Sequence, residues 1–140
     1  MTFALFSATT ANLTPEYLER YVNELNLAIV DVRFETVHRK DAWAGENLAQ
    51  RFGYRYIWLK ELSNVNHRVQ DMSKGVAFVD FDKGYAKLME LNAKSRVILL
   101  CSCHSSNCEL HEIIRRHEAF TGRKSGIIEV TISKNNGRLF

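Results

Sequence analysis

Two continuous apolar runs constrain the fold of this chain more than any other feature. Residues 27–30 and 97–100 are apolar at every position, so a strand built from either run is apolar on both faces. Such strands occur in parallel sheets with helices on both sides, because parallel strands need long crossover connections that are usually helical. The two runs therefore predict an α/β domain with a buried parallel sheet.

Helical patterns separate the predicted strands. Thr14 and Pro15 are typical of an N-cap and a first helical position, and Gly53 is typical of a helix end. The predicted order is a strand at 3–7, a helix from 14, a strand at 27–33, a helix through 44–52, a strand at 54–59, a helix at 80–93, a strand at 97–100, a helix after 107 and a strand at 127–132. We therefore predict one domain over residues 1–140, a three-layer α/β/α structure with a mostly parallel sheet, Rossmann-like or flavodoxin-like.

Composition is that of an ordinary globular protein. The chain of 140 residues is 46% hydrophobic and 25% charged, and its formal charge of +3 suits an anionic ligand without the dense basic face of a dedicated DNA-binding protein. Residues 1–14 contain neither a basic leader nor a long apolar segment, which predicts a cytoplasmic protein without a membrane partner. Residues 60–79 follow no regular pattern, which indicates either a functional lid or an unrecognised element.

Polar side chains follow the predicted strands. Ligands of open parallel sheets bind beyond the carboxyl ends of the strands, so these residues are expected to line one edge of the sheet. The polar residues at the predicted strand ends are Ser7, Thr9, Asp31, Arg33, Lys60, Glu61, Asn64, Cys101, Cys103 and His104. The predicted ligand-binding residues are Ser7, Thr9, Asn64, Ser105, Ser106 and Asn107.

Asp31 and Arg33 are two residues apart and share a face if the second strand continues through them. One interpretation is an acid or base beside an anion anchor, for which the forked guanidinium of arginine is well suited. The other is an ion pair that seals the end of the strand. The sequence leaves both open.

All three cysteines lie within eight residues, an arrangement that in a cytoplasmic protein indicates thiols, metal ligands or packing rather than disulfides. Cys101 ends an apolar strand and can be a buried apolar residue. Cys108 follows the predicted N-cap Asn107, where a helix start lowers the pKa of a thiol, and His104 or His111 can act as its base. A zinc site formed by Cys101, Cys103, Cys108 and His104 or His111 is the third interpretation, and zinc is the one candidate cofactor.

Four aromatic residues lie close together in the sequence: Trp43, Tyr54, Tyr56 and Trp58. They can stack a nucleic-acid base or belong to the core. Both interpretations remain open from the sequence.

Three motifs in order resemble those of a bacterial and phage family known as domain of unknown function 488. Residues 31–33, Asp-Val-Arg, are similar to its Asp-Val-Arg motif, and residues 56–64, YIWLKELSN, resemble its Tyr-x-x-Leu-Pro-x-Leu-Gly-Asn. Residues 97–113 resemble its apolar strand, Cys-x-Cys, short loop and Cys-His-Arg helix start. The chain departs from these motifs at Lys60, Ser63, Glu109 and Leu110. The resemblance implies an α/β fold and a bacterial or phage cytoplasm.

These features together predict a small enzyme-like protein that binds a phosphorylated ligand, a nucleotide or a nucleic-acid component, at the strand ends. The predicted catalytic residues are Asp31, Arg33, Cys103, His104, Cys108 and His111. One alternative is a non-catalytic module that binds nucleic acid or protein, and steep salt dependence would identify nucleic-acid binding. Another is a domain stabilised by structural zinc, which a chelator would unfold.

Overall fold

A computed structural model of the protein describes residues 5–10, 13–34, 42–65, 76–102, 109–122 and 127–129. The strands are β1 (Leu5–Thr9), β2 (Leu27–Asp31), β3 (Tyr56–Trp58), β4 (Arg96–Cys101) and β5 (Ile127–Glu129). The helices are α1 (Pro15–Leu25), α2 (Gly45–Phe52), α3 (Phe81–Lys94) and α4 (Glu109–Thr121), and short 3₁₀ helices cover Gly53–Arg55 and Lys60–Leu62. The predicted α/β class is confirmed.

All strand pairs in the sheet are parallel, in the order β3-β2-β4-β1-β5. Strand β4 therefore lies between β1 and β2, which is a detail of topology that the sequence does not predict. Because β4 pairs along its length with both neighbours, its apolar residues 97–100 are completely buried. The doubly apolar run thus forms the centre of the sheet, as its composition requires.

The chain leaves β2 and β4 in opposite directions. After β2 it moves outward through α2 to β3, and after β4 it crosses β1 through α4 to reach β5. Right-handed connections that run in opposite directions place their helices on opposite faces. The carboxyl ends of β2 and β4 are therefore the topological switch point, where ligands of open α/β sheets bind. We call the side of the sheet that contains these strand ends the carboxyl edge.

Two apolar clusters cover the two faces of the sheet. One joins α1 and α2 to the sheet through residues that include Leu18, Leu48 and Ile98. The other joins α3 and α4 through residues that include Leu88, Ile113 and Leu99. Alternating residues of β4 thus enter opposite layers, as the predicted three-layer structure requires.

Helix ends lie at Thr14 and Gly53, where the sequence predicts them, and Asp80 caps α3. The Thr14 hydroxyl accepts a hydrogen bond from the Tyr17 backbone N–H at 3.2 Å, and the Asp80 carboxylate accepts one from the Lys83 N–H at 3.3 Å. Gly53 ends α2 with a φ of 59°, a left-handed value that glycine adopts without strain. None of the described helices is long and apolar enough to cross a membrane.

Residues 60–79 contain elements that the sequence pattern does not reveal. The 3₁₀ helix Lys60–Leu62 follows β3, and an isolated antiparallel bridge joins Asn64 to Phe78. The Val65 N–H donates to the Ala77 carbonyl at 2.7 Å, so the two ends of this segment are paired. The predicted lid covers residues 60–79, and residues 66–75 of this span lie outside the described residues.

Candidate functional site

Asp31 is the last residue of β2, and Arg33 follows it at the carboxyl edge. Both side chains are buried, with exposed fractions of 0% and 2%. Alternation along β2 places Asp31 on the face covered by α1 and α2, because Leu27 and Ile29 belong to that apolar cluster. A buried ion pair therefore lies where the switch point begins.

The guanidinium of Arg33 binds the carboxylate of Asp31 along one side. Nη2 lies 2.6 Å from Oδ2, and Nε lies 2.9 Å from Oδ1 and 3.1 Å from Oδ2. The backbone N–H of Arg33 donates to the same Oδ1 at 3.0 Å. The ion pair is thus intramolecular, local in sequence and fixed in a single forked geometry.

Tyr56 completes the coordination of the Asp31 carboxylate. Its hydroxyl donates to Oδ2 at 2.6 Å from the adjacent strand β3. Five donor contacts then surround a carboxylate that has about four lone-pair sites. This saturation does not favour the predicted role of Asp31 as an acid or base, and it fits a carboxylate that positions Arg33.

Two further side chains hold the backbone of Arg33. The indole N–H of Trp58 donates to the Arg33 carbonyl at 2.7 Å, and the hydroxyl of Ser63 donates to the same oxygen at 3.0 Å. Ser63 is completely buried. Arg33 is therefore fixed at its side chain by Asp31 and at its main chain by two residues from the region of β3.

One donor group of Arg33 remains free in this network. Nη1 is buried and has no hydrogen-bond partner among the residues that the structure describes. Burial lowers the pKa of a guanidinium, but the hydrogen bond and negative charge of Asp31 outweigh this effect and raise the pKa of Arg33. The site thus presents a charged group held by several hydrogen bonds, with one donor group that no described residue uses.

Comparison with protein-family models identifies the family of this chain. A family model described as Domain of unknown function DUF488 matches residues 18–113, more than half of the chain. The chain belongs to this family. Comparison with curated proteins and with solved structures finds no match. The DUF488 match includes β2, β3 and β4, and therefore all the residues that fix Arg33.

Lys60 lies next to this network in the DUF488 chain. Its ammonium group is 4.7 Å from the ring centre of Phe34 and 5.3 Å from that of Trp58, which is within cation–π distance. Phe34 follows Arg33 in the chain, and Trp58 binds the Arg33 carbonyl. A second cation is therefore held by two aromatic rings, one from the residue that follows Arg33 and one from the residue that binds the Arg33 carbonyl.

The structure describes three of the six predicted ligand-binding residues, and these three lie in different places. The sequence pattern predicts that the first strand ends at Ser7, but β1 continues to Thr9. Ser7 therefore lies inside the strand and is buried. Thr9 lies at the carboxyl edge beside Cys101. The Asn64 side chain accepts a hydrogen bond from the Ala77 N–H at 3.1 Å and so holds the returning segment 76–79. Ser105, Ser106 and Asn107 lie outside the described residues.

Cys101 is completely buried in the apolar cluster on the α3 and α4 face, opposite to the face of Asp31. This placement fits the interpretation of Cys101 as a packing residue. His111 is exposed on α4. Within the described ranges no group of three or more His, Cys, Asp or Glu side chains could hold a metal ion. The predicted reactive or metal-binding residues Cys103, His104 and Cys108 lie outside those ranges.

The aromatic residues that the sequence groups together serve different purposes. Trp43 is buried in the core, and Tyr54 is 88% exposed. Tyr56 and Trp58 instead donate hydrogen bonds to Asp31 and to the Arg33 carbonyl. Sequence reasoning did not identify this function, although the parallel pairing of β2 with β3 would have placed Trp58 opposite Asp31.

Proposed function

We propose that this DUF488 protein binds a phosphorylated ligand, a nucleotide or a nucleic-acid component, at the carboxyl edge beside the end of β2. Arg33 supplies the hydrogen-bond donor. The observation that carries the proposal is the buried Nη1 of Arg33, which has no partner among the described residues. A buried donor without an acceptor costs about 1–3 kcal/mol, so a fold that retains one gains by binding an acceptor there.

The arrangement around Arg33 supports an anion as that acceptor. Asp31 occupies Nε and Nη2, which fixes the plane of the guanidinium and leaves Nη1 as the donor for a ligand. Trp58 and Ser63 hold the main chain, so little ordering is needed when the ligand binds. Phosphate oxygens suit such a donor because charge-assisted hydrogen bonds from arginine are short and strong.

In this proposal Asp31 and Tyr56 are positioning residues. The reactive group would come from Cys103 or Cys108, with His104 or His111 as its base. These residues follow β4 in the chain, and β4 is the neighbour of β2 at the switch point. An enzyme that attacks a phosphorylated substrate with a protein thiol combines these two parts, an anion anchor and a nucleophile.

Calorimetric titration with phosphomonoesters, including nucleoside monophosphates, tests the binding proposal. The double substitution Asp31→Asn with Arg33→Gln removes the charged donor and leaves no unpaired buried charge. We expect it to weaken binding by about tenfold or more, which corresponds to the loss of one charge-assisted hydrogen bond. Arg96→Gln is the matched control, since Arg96 is exposed at the amino end of β4. Equal binding by wild type and the double variant would refute the anchor role.

Single substitutions Cys103→Ser and Cys108→Ser test the catalytic half of the proposal. With each phosphomonoester that binds, release of product would be followed in the wild type and in both variants. We expect one of the two substitutions to abolish turnover while the dissociation constant changes little, because serine retains the size of cysteine but not its nucleophilicity. Unchanged turnover in both variants would exclude Cys103 and Cys108 as the nucleophile.

A further inference from the structure

The charge at the Arg33 site does not come from Arg33 alone. The Asp31 carboxylate is in direct contact with the guanidinium, so the two charges largely offset each other. Arg33 then offers a ligand a precisely placed N–H group but little net positive charge. A ligand that carries two negative charges would need another cation nearby.

Lys60 is the candidate for this second cation. It is the exposed first residue of the 3₁₀ helix that follows β3, and its ammonium lies over the rings of Phe34 and Trp58. Among the described residues no carboxylate forms an ion pair with Lys60, in contrast to Lys87 and Lys94, which pair with Glu61 and Glu90. No carboxylate in the described part of the chain therefore neutralises its charge.

Packing beneath Lys60 keeps the 3₁₀ helix in place. Leu62 is completely buried against α3, and the Ser63 N–H donates to the Lys60 carbonyl at 2.9 Å. Ser63 also binds the Arg33 carbonyl, as does the indole of Trp58 on which the Lys60 ammonium lies. The same two residues thus tie the backbone of Arg33 to the position of Lys60.

We infer that Lys60 is a second anion-binding residue of the Arg33 site and that it selects a dianionic phosphate monoester over a monoanionic diester. The inference rests on the proposed function and assigns the charge of the ligand. Arg33 orients the ligand through one hydrogen bond. Lys60 supplies positive charge, because Asp31 offsets most of the charge of Arg33. A monoanionic diester would gain from Arg33 but much less from Lys60.

The test compares methyl phosphate with dimethyl phosphate at neutral pH, by calorimetric titration of the whole protein. Lys60→Gln removes the charge, and Lys60→Arg keeps it. Lys94→Gln removes an exposed charge at the far end of α3 and is the matched control. For Lys60→Gln we expect about a tenfold loss of affinity for methyl phosphate and less than about a threefold loss for dimethyl phosphate. Lys60→Arg and Lys94→Gln should remain close to wild type for both ligands.

The outcomes distinguish a failure of this inference from a failure of the proposed function. If wild type binds methyl phosphate, the Asp31→Asn, Arg33→Gln double variant does not, and Lys60→Gln binds as wild type does, the role of Lys60 is wrong and the anchor role of Arg33 stands. An equal loss for both esters in Lys60→Gln overturns the selection of dianions. If neither methyl phosphate nor a nucleoside monophosphate binds the wild type, the proposed function itself fails. If the double variant binds methyl phosphate as well as wild type does, the anchor role of Arg33 is wrong and the inference about Lys60 fails with it.

Discussion

Trp58 donates its indole N–H to the carbonyl oxygen of Arg33 at 2.7 Å, so a residue of β3 fixes the main chain just beyond β2. The same tryptophan lies beside Asp31 in the parallel register, and Asp31 fixes the side chain of Arg33. Backbone and guanidinium are thus held by neighbouring strands. Because hydrogen bonds hold both parts of Arg33, its donor group is positioned before any ligand binds.

Removal of Arg33 alone should destabilise the protein more than removal of the whole pair. Arg33→Gln leaves the Asp31 carboxylate buried without its cation, for which we expect a loss of about 3–5 kcal/mol of unfolding free energy. The Asp31→Asn, Arg33→Gln double variant should lose clearly less, because no buried charge remains. Urea denaturation with unchanged m-values would measure both. A double variant as unstable as the single one would show that the cost is lost packing and not lost charge.

The sequence predicts the layers of this fold better than it predicts the site. Apolar runs identify the parallel sheet, and Thr14 and Gly53 mark helix ends where the structure has them. The strand order depends on contacts between elements far apart in the chain, so no local pattern contains it. For the same reason the bond between Tyr56 and Asp31 was not predicted. Residues two apart, such as Asp31 and Arg33, could be paired from sequence because their geometry is local.

Tyr56 should ionise only at unusually high pH. Burial, then the negative charge and hydrogen bond of Asp31, raise its pKa well above the ordinary value of 10.0. The folded state therefore holds this proton more tightly than the unfolded state. Its contribution to stability is complete below about pH 10 and is lost as the pH rises toward the folded pKa.

Ultraviolet titration of wild type against Tyr56→Phe would measure this shift. At about pH 11 the folded proteins should show the same tyrosinate absorbance, whereas in concentrated urea the wild type should show one tyrosinate more. The substitution should also cost about 1.5–3 kcal/mol of unfolding free energy, since it removes a hydrogen bond to a charged group. An extra tyrosinate in folded wild type near pH 10 would contradict the assigned environment.

Gly84→Ala should destabilise the protein although alanine favours helices. A Cβ on Gly84 would lie 2.7 Å from Cγ and 2.8 Å from Cδ2 of Leu62, which is completely buried. We expect a net loss of about 1–3 kcal/mol from this overlap. The Leu62→Ala, Gly84→Ala double variant provides the control, because the added methyl group then enters the space that leucine vacates. The double variant should lose less unfolding free energy than the sum of the losses in the two single variants.

Cys101 should not react with thiol reagents in the folded protein. It is completely buried in the apolar cluster between the sheet and α3 and α4. In a Cys103→Ser, Cys108→Ser variant Cys101 is the remaining thiol, so labelling reports on it alone. Labelling should follow global unfolding in urea and be negligible below the transition. Rapid labelling without denaturant would show that this thiol reaches solvent and would reopen its role as a ligand or nucleophile.

Stability should decline in mild acid through His117. Burial lowers the pKa of this histidine, the charge of Glu118 partly opposes the shift, and the Tyr85 hydroxyl lies 2.8 Å from Nδ1. Because the folded pKa lies below the unfolded value of about 6.5, the contribution to stability is complete above that pH and is lost as the pH falls through the folded pKa. The thermal midpoint of wild type should fall between about pH 7.5 and about pH 5 by more than that of His117→Gln. Solvent reaches much of this side chain, so the difference should be modest, and parallel declines in the two proteins would assign the acid sensitivity to other groups.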